Sequence, residues 1–510
     1  MNGMQGIPWL TIITVLPVIG AAIALFAGRH SRGVAQVTGI LCLVLSLVIW
    51  LQLPADGSIG LQELHQNWVP SLGIQYHLGV DGLGALMLIL SALVSLMSID
   101  AAHRVHHEPG LFFVLVLLLE AGLFGTFTAL NFFHWFIFWE LSLIPAFFLI
   151  KLWGGPRRGP AATQFFVYTM AGSVALLLSF LAVFHATGSM DFLQLATMAA
   201  NGSLEHQVLA SLGPVMMWLA VGVLAGFAVK VPLAPFHTWL PAAYSEAPSP
   251  VTMLLTGGMS KMGVYGLLRI ALPLFGPQIA AIRTPLLVLA VITIVMGAWA
   301  AAAQKDLKRV FAYSSINHLG YCLLGIFAIA VHTGANVSDS VSQAAALNGV
   351  ILQMFNHGLT AAAIFWFISM IQFRSGGLRG IEQFGGLRKP APVFAGLMGI
   401  GLFSSLGLPG LNGFVGEFLI FRGVFPLSWV AASLSVLGLL VTAAVILTVI
   451  LKVFTGPVPE RWVEFPDLHG GERLGVAPVI GLMFLLGLVP QLVVEHVNPT
   501  VQYLLAHWRF

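Results

Sequence analysis

With 510 residues, 58% of them hydrophobic and only 8% charged, the chain is not a soluble globular protein, in which about a quarter of residues are charged. The net charge of +3 carries little information in itself; where the charges sit carries more. The two cysteines, Cys42 and Cys322, fall in separate apolar runs, which excludes an iron–sulfur cluster with its roughly four ligands and gives a disulfide no support.

Apolar runs of membrane-spanning length fall at roughly 8–27, 34–53, 82–100, 110–129, 131–152, 163–187, 208–243, 248–272, 284–303, 307–331, 345–373, 391–424, 427–455 and 474–494. This predicts fourteen helices, the seventh and twelfth of them broken. No polar connection exceeds about 25 residues, too short for a soluble domain. The first run, Ile7 to Ala27, lacks a basic start and a small-residue cleavage site, so it reads as a retained helix rather than a signal peptide. Asn131 joins the fourth and fifth runs so closely that their boundary is not fixed by sequence.

Of the 22 basic residues, sixteen lie on one side of this arrangement: Arg29, Arg32, Arg104, Lys151, Arg157, Arg158, Lys305, Lys308, Arg309, Arg374, Arg379, Arg388, Lys389, Lys452, Arg461 and Arg473. The opposite side holds Arg283, Arg422 and Arg509, and three more, Lys230, Lys261 and Arg269, lie inside apolar runs. The positive-inside rule then predicts cytoplasmic odd-numbered loops and both termini outside.

The seventh run is interrupted at Lys230-Val-Pro-Leu-Ala-Pro-Phe-His-Thr-Trp-Leu-Pro241. An apolar helix from near Val208 is expected to end at Lys230, because Pro232 and Pro235 remove donors and clash with the preceding turn. A short helix over Phe236 to Ala243, carrying His237, is expected to follow. The twelfth run is interrupted by Pro409-Gly-Leu-Asn-Gly413, with Glu417 four residues beyond. Two broken helices five apart predict inverted five-helix repeats with ion sites at the breaks. The expected organisation is helices one to three in residues 1–105, a first repeat of helices four to eight in 106–275, a second of helices nine to thirteen in 276–456, and helix fourteen with a tail in 457–510. The fold class is all-α polytopic membrane protein.

Intramembrane charges are costly, about 2.5–3.5 kcal/mol each on insertion scales, and mark functional paths. Glu140 lies in an aromatic helix, where only an opposing lysine would keep it ionised, and Lys230 is the candidate. Lys261 sits mid-helix among glycines that let a neighbouring helix approach. His318 and His357 are mid-helix on the tenth and eleventh runs, the residue type suited to relaying protons near neutral pH. His134 and His185 lie nearer helix ends and read as structural, and His103, His106 and His107 as a solvated loop. Arg269 reads as a snorkelling side chain at a helix end. His77-Leu-Gly-Val-Asp-Gly-Leu83 is an unusual start to a helix, and it suggests no physical role for Asp81.

The stretches Lys230-Val-Pro-Leu-Ala-Pro-Phe-His-Thr-Trp-Leu-Pro-Ala-Ala-Tyr-Ser-Glu-Ala-Pro-Ser-Pro250, Leu78-Gly-Val-Asp-Gly82 and Asp306-Leu-Lys-Arg-Val-Phe-Ala-Tyr-Ser-Ser-Ile-Asn-His318 resemble the antiporter-like subunits of respiratory complex I and the related Mrp cation/proton antiporters. The likeness covers helices three to thirteen. Most of these subunits carry lysine on the twelfth helix; Glu417 resembles the M-type members, and the chain leaves no room for the long lateral helix of the L type. The resemblance implies Glu140 as charge-pair partner, Lys230 as gating lysine, Lys261 as central relay, His237, His318 and His357 as connecting relay groups, and Glu417 as terminal proton carrier. It implies a bacterial inner-membrane subunit that couples NADH:quinone electron transfer elsewhere to proton pumping. NADH, FMN, iron–sulfur clusters and quinone would then belong to other subunits, with no cofactor or metal in this chain. The partners would be the lipid bilayer and neighbouring antiporter-like subunits of the L and N types, with no nucleic acid.

Three other readings compete. Haem ligation would need histidines paired at matched depth, which the sequence does not repeat. A solute carrier would add polar groups around the breaks. A subunit of an Mrp-type Na⁺/H⁺ antiporter, or of a related hydrogenase complex, differs from the first reading in its partners.

Overall fold

The computed structural model describes residues 6–69, 74–102, 105, 107–330 and 337–510. It is built from helices because lipid supplies no hydrogen bonds, so an apolar spanning segment must satisfy its own backbone. In chain order these are α1 (Trp9–Phe26), α2 (Ser31–Leu51), α3 (Gly82–Ala101), α4 (Pro109–Thr128), α5 (Phe132–Trp153), α6 (Arg158–Thr187), the short α7 (Phe192–Ala200) and α8 (Ser203–Leu212), α9 (Met216–Lys230) and α10 (Trp239–Glu246). There follow α11 (Ser249–Ala281), α12 (Arg283–Ala302), α13 (Leu307–Ile329), α14 (Val337–Arg374), α15 (Pro392–Leu406), α16 (Asn412–Leu427), α17 (Trp429–Phe454), α18 (Gly470–Leu488) and α19 (Gln491–His507). Twelve helices among the described residues are long and apolar enough to cross a bilayer.

The two breaks lie where the prolines and glycines put them, with differences in detail. The seventh span begins at Met216 rather than near Val208, because α8 meets α9 at a bend of 106°. The helix after the break starts at Trp239, so His237 stands in the preceding turn and not on the helix. Protein groups take up the freed backbone: Ala234 N donates to Thr293 Oγ1 (2.9 Å), and Leu233 N to Ala228 O (2.9 Å). The Trp239 indole donates to Val229 O (2.9 Å), tying the two halves together. At the second break, α15 ends on Gly407 in the left-handed region (φ 77°), where a side chain would be strained. Asn356 Nδ2 donates to Asn412 O (2.7 Å), and Ser404 Oγ donates to Asn412 Oδ1 (2.6 Å).

Burial follows polarity. The spans of α13 and α14, which carry the mid-helix histidines, are 94% buried and form the centre. The spans of α17 and α18, whose few charges lie at one end of each, are 33% and 28% buried and present leucine, valine and phenylalanine outward.

Two features are absent from the sequence reading. Residues 54–81, left as the connection between the second and third apolar runs, contain an antiparallel hairpin, β1 (Gly60–Val69) with β2 (Ile74–Val80), in the register Gly60↔Val80, Glu63↔Leu78 and Val69↔Ile74. Glu63 caps α1 by accepting from Leu10 N (2.7 Å), and Leu130 N donates to His77 O (2.9 Å), which fixes the hairpin against the α4–α5 connection. The tail after the last span folds into α19, whose Thr500 Oγ1 accepts from Gly82 N (3.0 Å) at the start of α3. His103, Arg104 and His106 lie outside the described residues, and His107 is exposed.

Candidate functional site

A file of polar side chains begins on α11. Lys261 lies on an α-helical turn flanked by two π-turns, Leu255–Met259 and Leu267–Ala271; such wide turns concentrate at functional sites. Lys261 is wholly buried. Its ammonium donates to Thr256 O inside the first π-turn, to Ser260 Oγ (3.3 Å), and to His357 Nδ1 (2.8 Å). Neutral His357 therefore carries its proton on Nε2 when Lys261 is charged. The His357 and His318 rings are 5.1 Å apart between centroids and inclined at 34°. His318 Nδ1 is 2.9 Å from Glu417 Oε1, and its Nε2 is 3.3 Å from Ser405 Oγ. Four buried groups from α11, α14, α13 and α16 thus run in the order Lys261, His357, His318, Glu417.

Glu417 faces two ways. Inward it borders a polar cavity of 10 Å³ lined also by His318, His357, Gln353, Asn356 and Thr360, about the size of one water. Outward it borders a groove of 610 Å³ between α16 and α17, walled by Phe414, Phe418, Phe421 and Phe425. Gln353 Nε2 donates to Glu417 Oε1 (3.3 Å).

The structure does not link the first break to this file by hydrogen bonds among the described residues. Lys230, 3% exposed, is the last residue of α9, where the helix dipole favours a cation. Its ammonium lies 4.6 Å from the Trp139 ring centroid. Glu140, the next residue, is half-buried, and no N···O distance between it and Lys230 is within 4.0 Å. His237 is half-buried, and its buried Nδ1 has no hydrogen-bond partner among the described residues. His134 is buried with neither ring nitrogen hydrogen-bonded among the described residues, and His185 is exposed.

Several residues escaped the sequence reading. Arg269 does not snorkel: it is buried and forms an ion pair with Asp81, the side chains being 6% and 1% exposed. Asp81 also caps α3 by accepting from Gly84 N (3.0 Å). Glu120 on α4 is wholly buried, with neither carboxylate oxygen hydrogen-bonded among the described residues. Lys308, counted as a loop residue, is buried on α13 and donates to Ala247 O after α10. Gln353, Asn356, His357 and Thr360 share one face of α14, and their i, i+3, i+4, i+7 spacing was a readable signal. Asp81 and Arg269 are 188 residues apart, and no local pattern joins them.

Comparison with known proteins decides the family. The family profile described as NADH:quinone oxidoreductase/Mrp antiporter, TM, matches residues 129–446, well over half of the chain. The chain belongs to that family. It is 36% identical over 530 residues to NAD(P)H-quinone oxidoreductase chain 4 1 of Synechococcus sp. (strain JA-3-3Ab), covering 100% of this chain and 95% of the relative. It is 31% identical to NADH-quinone oxidoreductase subunit M of Rickettsia typhi (98% and 99% covered) and 33% identical to that of Rhodobacter capsulatus (98% and 96%). Among solved structures it is similar to a chain of respiratory complex I from Thermus thermophilus with bound NADH, with a TM-score of 0.85 and 28% identity over 98% of this chain and 100% of that one. A chain of the Mrp complex from Dietzia sp. DQ12-45-1b shares the fold, with a TM-score of 0.81 at 21% identity over 97% of each chain. The stretch matched by the NADH:quinone oxidoreductase/Mrp antiporter family contains Glu140, Lys230, Lys261, His318, His357 and Glu417 and leaves out Asp81, Glu120 and the hairpin.

Proposed function

We propose that this chain is the M-type proton-translocating subunit of an NADH:quinone oxidoreductase, moving protons within the membrane while electron transfer takes place in other subunits. The single observation that carries the reading is the buried Lys261–His357–His318–Glu417 file, ending at the second helix break. Twelve continuous spans with the two broken ones, α9/α10 and α15/α16, make fourteen, arranged as inverted repeats of helices four to eight and nine to thirteen. Basic loops face the cytoplasm and both termini face the periplasm of a bacterial inner membrane. NADH, FMN, iron–sulfur clusters and quinone belong to other subunits, and the lateral neighbours are the L- and N-type subunits.

In this reading a conformational or charge signal alters the Glu140–Lys230 pair, which changes the hold of Lys230 on its proton and hence the charge felt at Lys261. Lys261 delivers a proton to His357 Nδ1. His357 passes it on to His318, across the gap between their rings. The Nδ1–H of His318 delivers it to Glu417, beside the outer groove. His237, half-exposed at the first break, is the relay group nearest the surface.

The test is Lys230→Ala and Glu140→Ala in the assembled complex. Each should nearly abolish proton-coupled quinone reduction at normal assembly; full coupled activity in either would remove the pair from the mechanism. The shared fold with the Mrp complex supports a second reading, a subunit of a Na⁺/H⁺ antiporter. Purification separates the two: peripheral redox subunits co-purify in the first case, small membrane subunits in the second.

A further inference from the structure

The Lys230 ammonium does not rest on Glu140. It lies over the indole of Trp139, 4.6 Å from the ring centroid, while Glu140 Oε1 is buried without a hydrogen-bond partner among the described residues. The indole is firmly held. It is 2% exposed, its Nε1 donates to Ser173 Oγ (2.9 Å), it stacks on Trp135 at 4.7 Å, and Phe227 packs edge-on at 5.8 Å. Indole is the aromatic face that attracts a cation best, and desolvation strengthens the attraction. Neighbouring residues on a helix point about 100° apart, so Trp139 and Glu140 offer Lys230 two adjacent resting places.

We propose that Trp139 is a positioning residue, the second berth between which and Glu140 the Lys230 ammonium moves during turnover. The inference rests on the reading of Lys230 as a proton-handling group. On Glu140 the ammonium faces a full negative charge, which holds its proton. On Trp139 it faces only the ring quadrupole, and its proton is freer to leave. The end of α9 packs closely on Gly263, where a Cβ would sit 2.5 Å from Val231 Cγ2 and 3.1 Å from Lys230 Cβ and Val231 N, which leaves little room for the backbone to shift. Only the side chain swings.

Site-specific replacement of Trp139 by mono-, di- and trifluorotryptophan tests this in the assembled complex. Shape and N–H are kept while electron density leaves the ring face. Coupled proton translocation should fall stepwise, by about tenfold at the trifluoro stage, which corresponds to ~1.4 kcal/mol. Trp139→Phe should keep part of the rate, and Trp139→Leu should fall to the level of Glu140→Gln, at assembly levels checked in the same membranes. A flat response across the fluorinated series, with Lys230→Ala still abolishing pumping, overturns the second berth and leaves the role of Lys230 intact. Normal pumping by Lys230→Ala overturns both.

Discussion

Lys261 donates its ammonium proton to His357 Nδ1 at 2.8 Å across 96 residues of chain. The bond sets the direction of the file, because the acceptor nitrogen of the imidazole faces the lysine while the ring itself lies 5.1 Å, centroid to centroid, from that of His318. A lysine and a histidine in contact, both buried and with no carboxylate hydrogen-bonded to either among the described residues, cannot both carry charge cheaply. Charge on one expels it from the other, which is what a relay needs.

Lys261→Arg is therefore expected to assemble and to lose pumping, because guanidinium keeps the charge but does not release a proton near neutral pH. His357→Gln should retain a hydrogen bond and still lose pumping, by about 100-fold if proton transfer is removed outright. Proton uptake and quinone reduction in sealed vesicles measure both. Wild-type pumping by Lys261→Arg would make Lys261 a fixed charge and not a carrier.

At the far end, Glu417→Gln keeps the shape and the contacts with His318 and Gln353 but cannot exchange a proton. Pumping should fall at least about tenfold with assembly unchanged, in line with the loss of one acid–base group. Glu417→Lys, which supplies a titratable group of opposite charge beside His318 Nδ1, should retain more activity than Glu417→Gln. Full translocation by Glu417→Gln would place the exit elsewhere.

Helix breaks and intramembrane charges were legible in the sequence because their signals are local: proline at 232 and 235, glycine at 407, 410 and 413, lysine amid apolar residues. The helical fold class follows for the same reason. The order of the file was not legible. His318 precedes His357 in the chain, yet His357 contacts Lys261 and His318 contacts Glu417, because α14 lies between α11 and α13 at that depth. The Asp81–Arg269 pair was missed because snorkelling accounts for an arginine at a helix end, the sequence suggests no role for Asp81, and only packing brings the two together. The hairpin was missed because its strands alternate polar and apolar side chains weakly, and its two strands alone would be marginal without α1 and the α4–α5 connection to pack on.

Outside the membrane, Asp467 gives a pH test. Burial opposes its charge, but the N–H groups of Phe394 (2.8 Å), Leu468 (2.8 Å) and Val393 (3.0 Å), with the charge of Arg473, hold the carboxyl below the usual range. A carboxyl lowered on folding stabilises the fold above its unfolded value, about 3.9, and loses that contribution as the pH falls through the folded value. These bonds cap the start of α15, a role worth about 1 kcal/mol. Asp467→Asn should lower thermal stability at pH 7, and its deficit relative to wild type should shrink below about pH 4. A deficit that stays constant into acid would show that the carboxylate charge is not what anchors α15.

The last prediction concerns the buried ion pair that ties the start of α3 to α11. Arg269 has Asp81 as its ion-pair partner among the described residues, its Nε is without a hydrogen bond, and Tyr265 lies 5.8 Å from the guanidinium carbon. Asp81→Asn removes the counter-charge and leaves a guanidinium buried, which is expected to cost about 3–5 kcal/mol. Complex abundance and thermal stability should collapse, although asparagine can still cap α3. Arg269→Gln should be milder, because the stranded carboxyl can take up a proton and keep its bond from Gly84 N. The double variant Asp81→Asn/Arg269→Gln removes both charges and should recover much of what Asp81→Asn alone loses, since a neutral pair of similar size is often no less stable than a buried ion pair. Abundance of the assembled complex in membranes, with thermal unfolding of the purified material, reads all three. If the double variant is as unstable as Asp81→Asn, the loss comes from the α3 cap and its packing, and charge compensation is not what holds this end of the bundle.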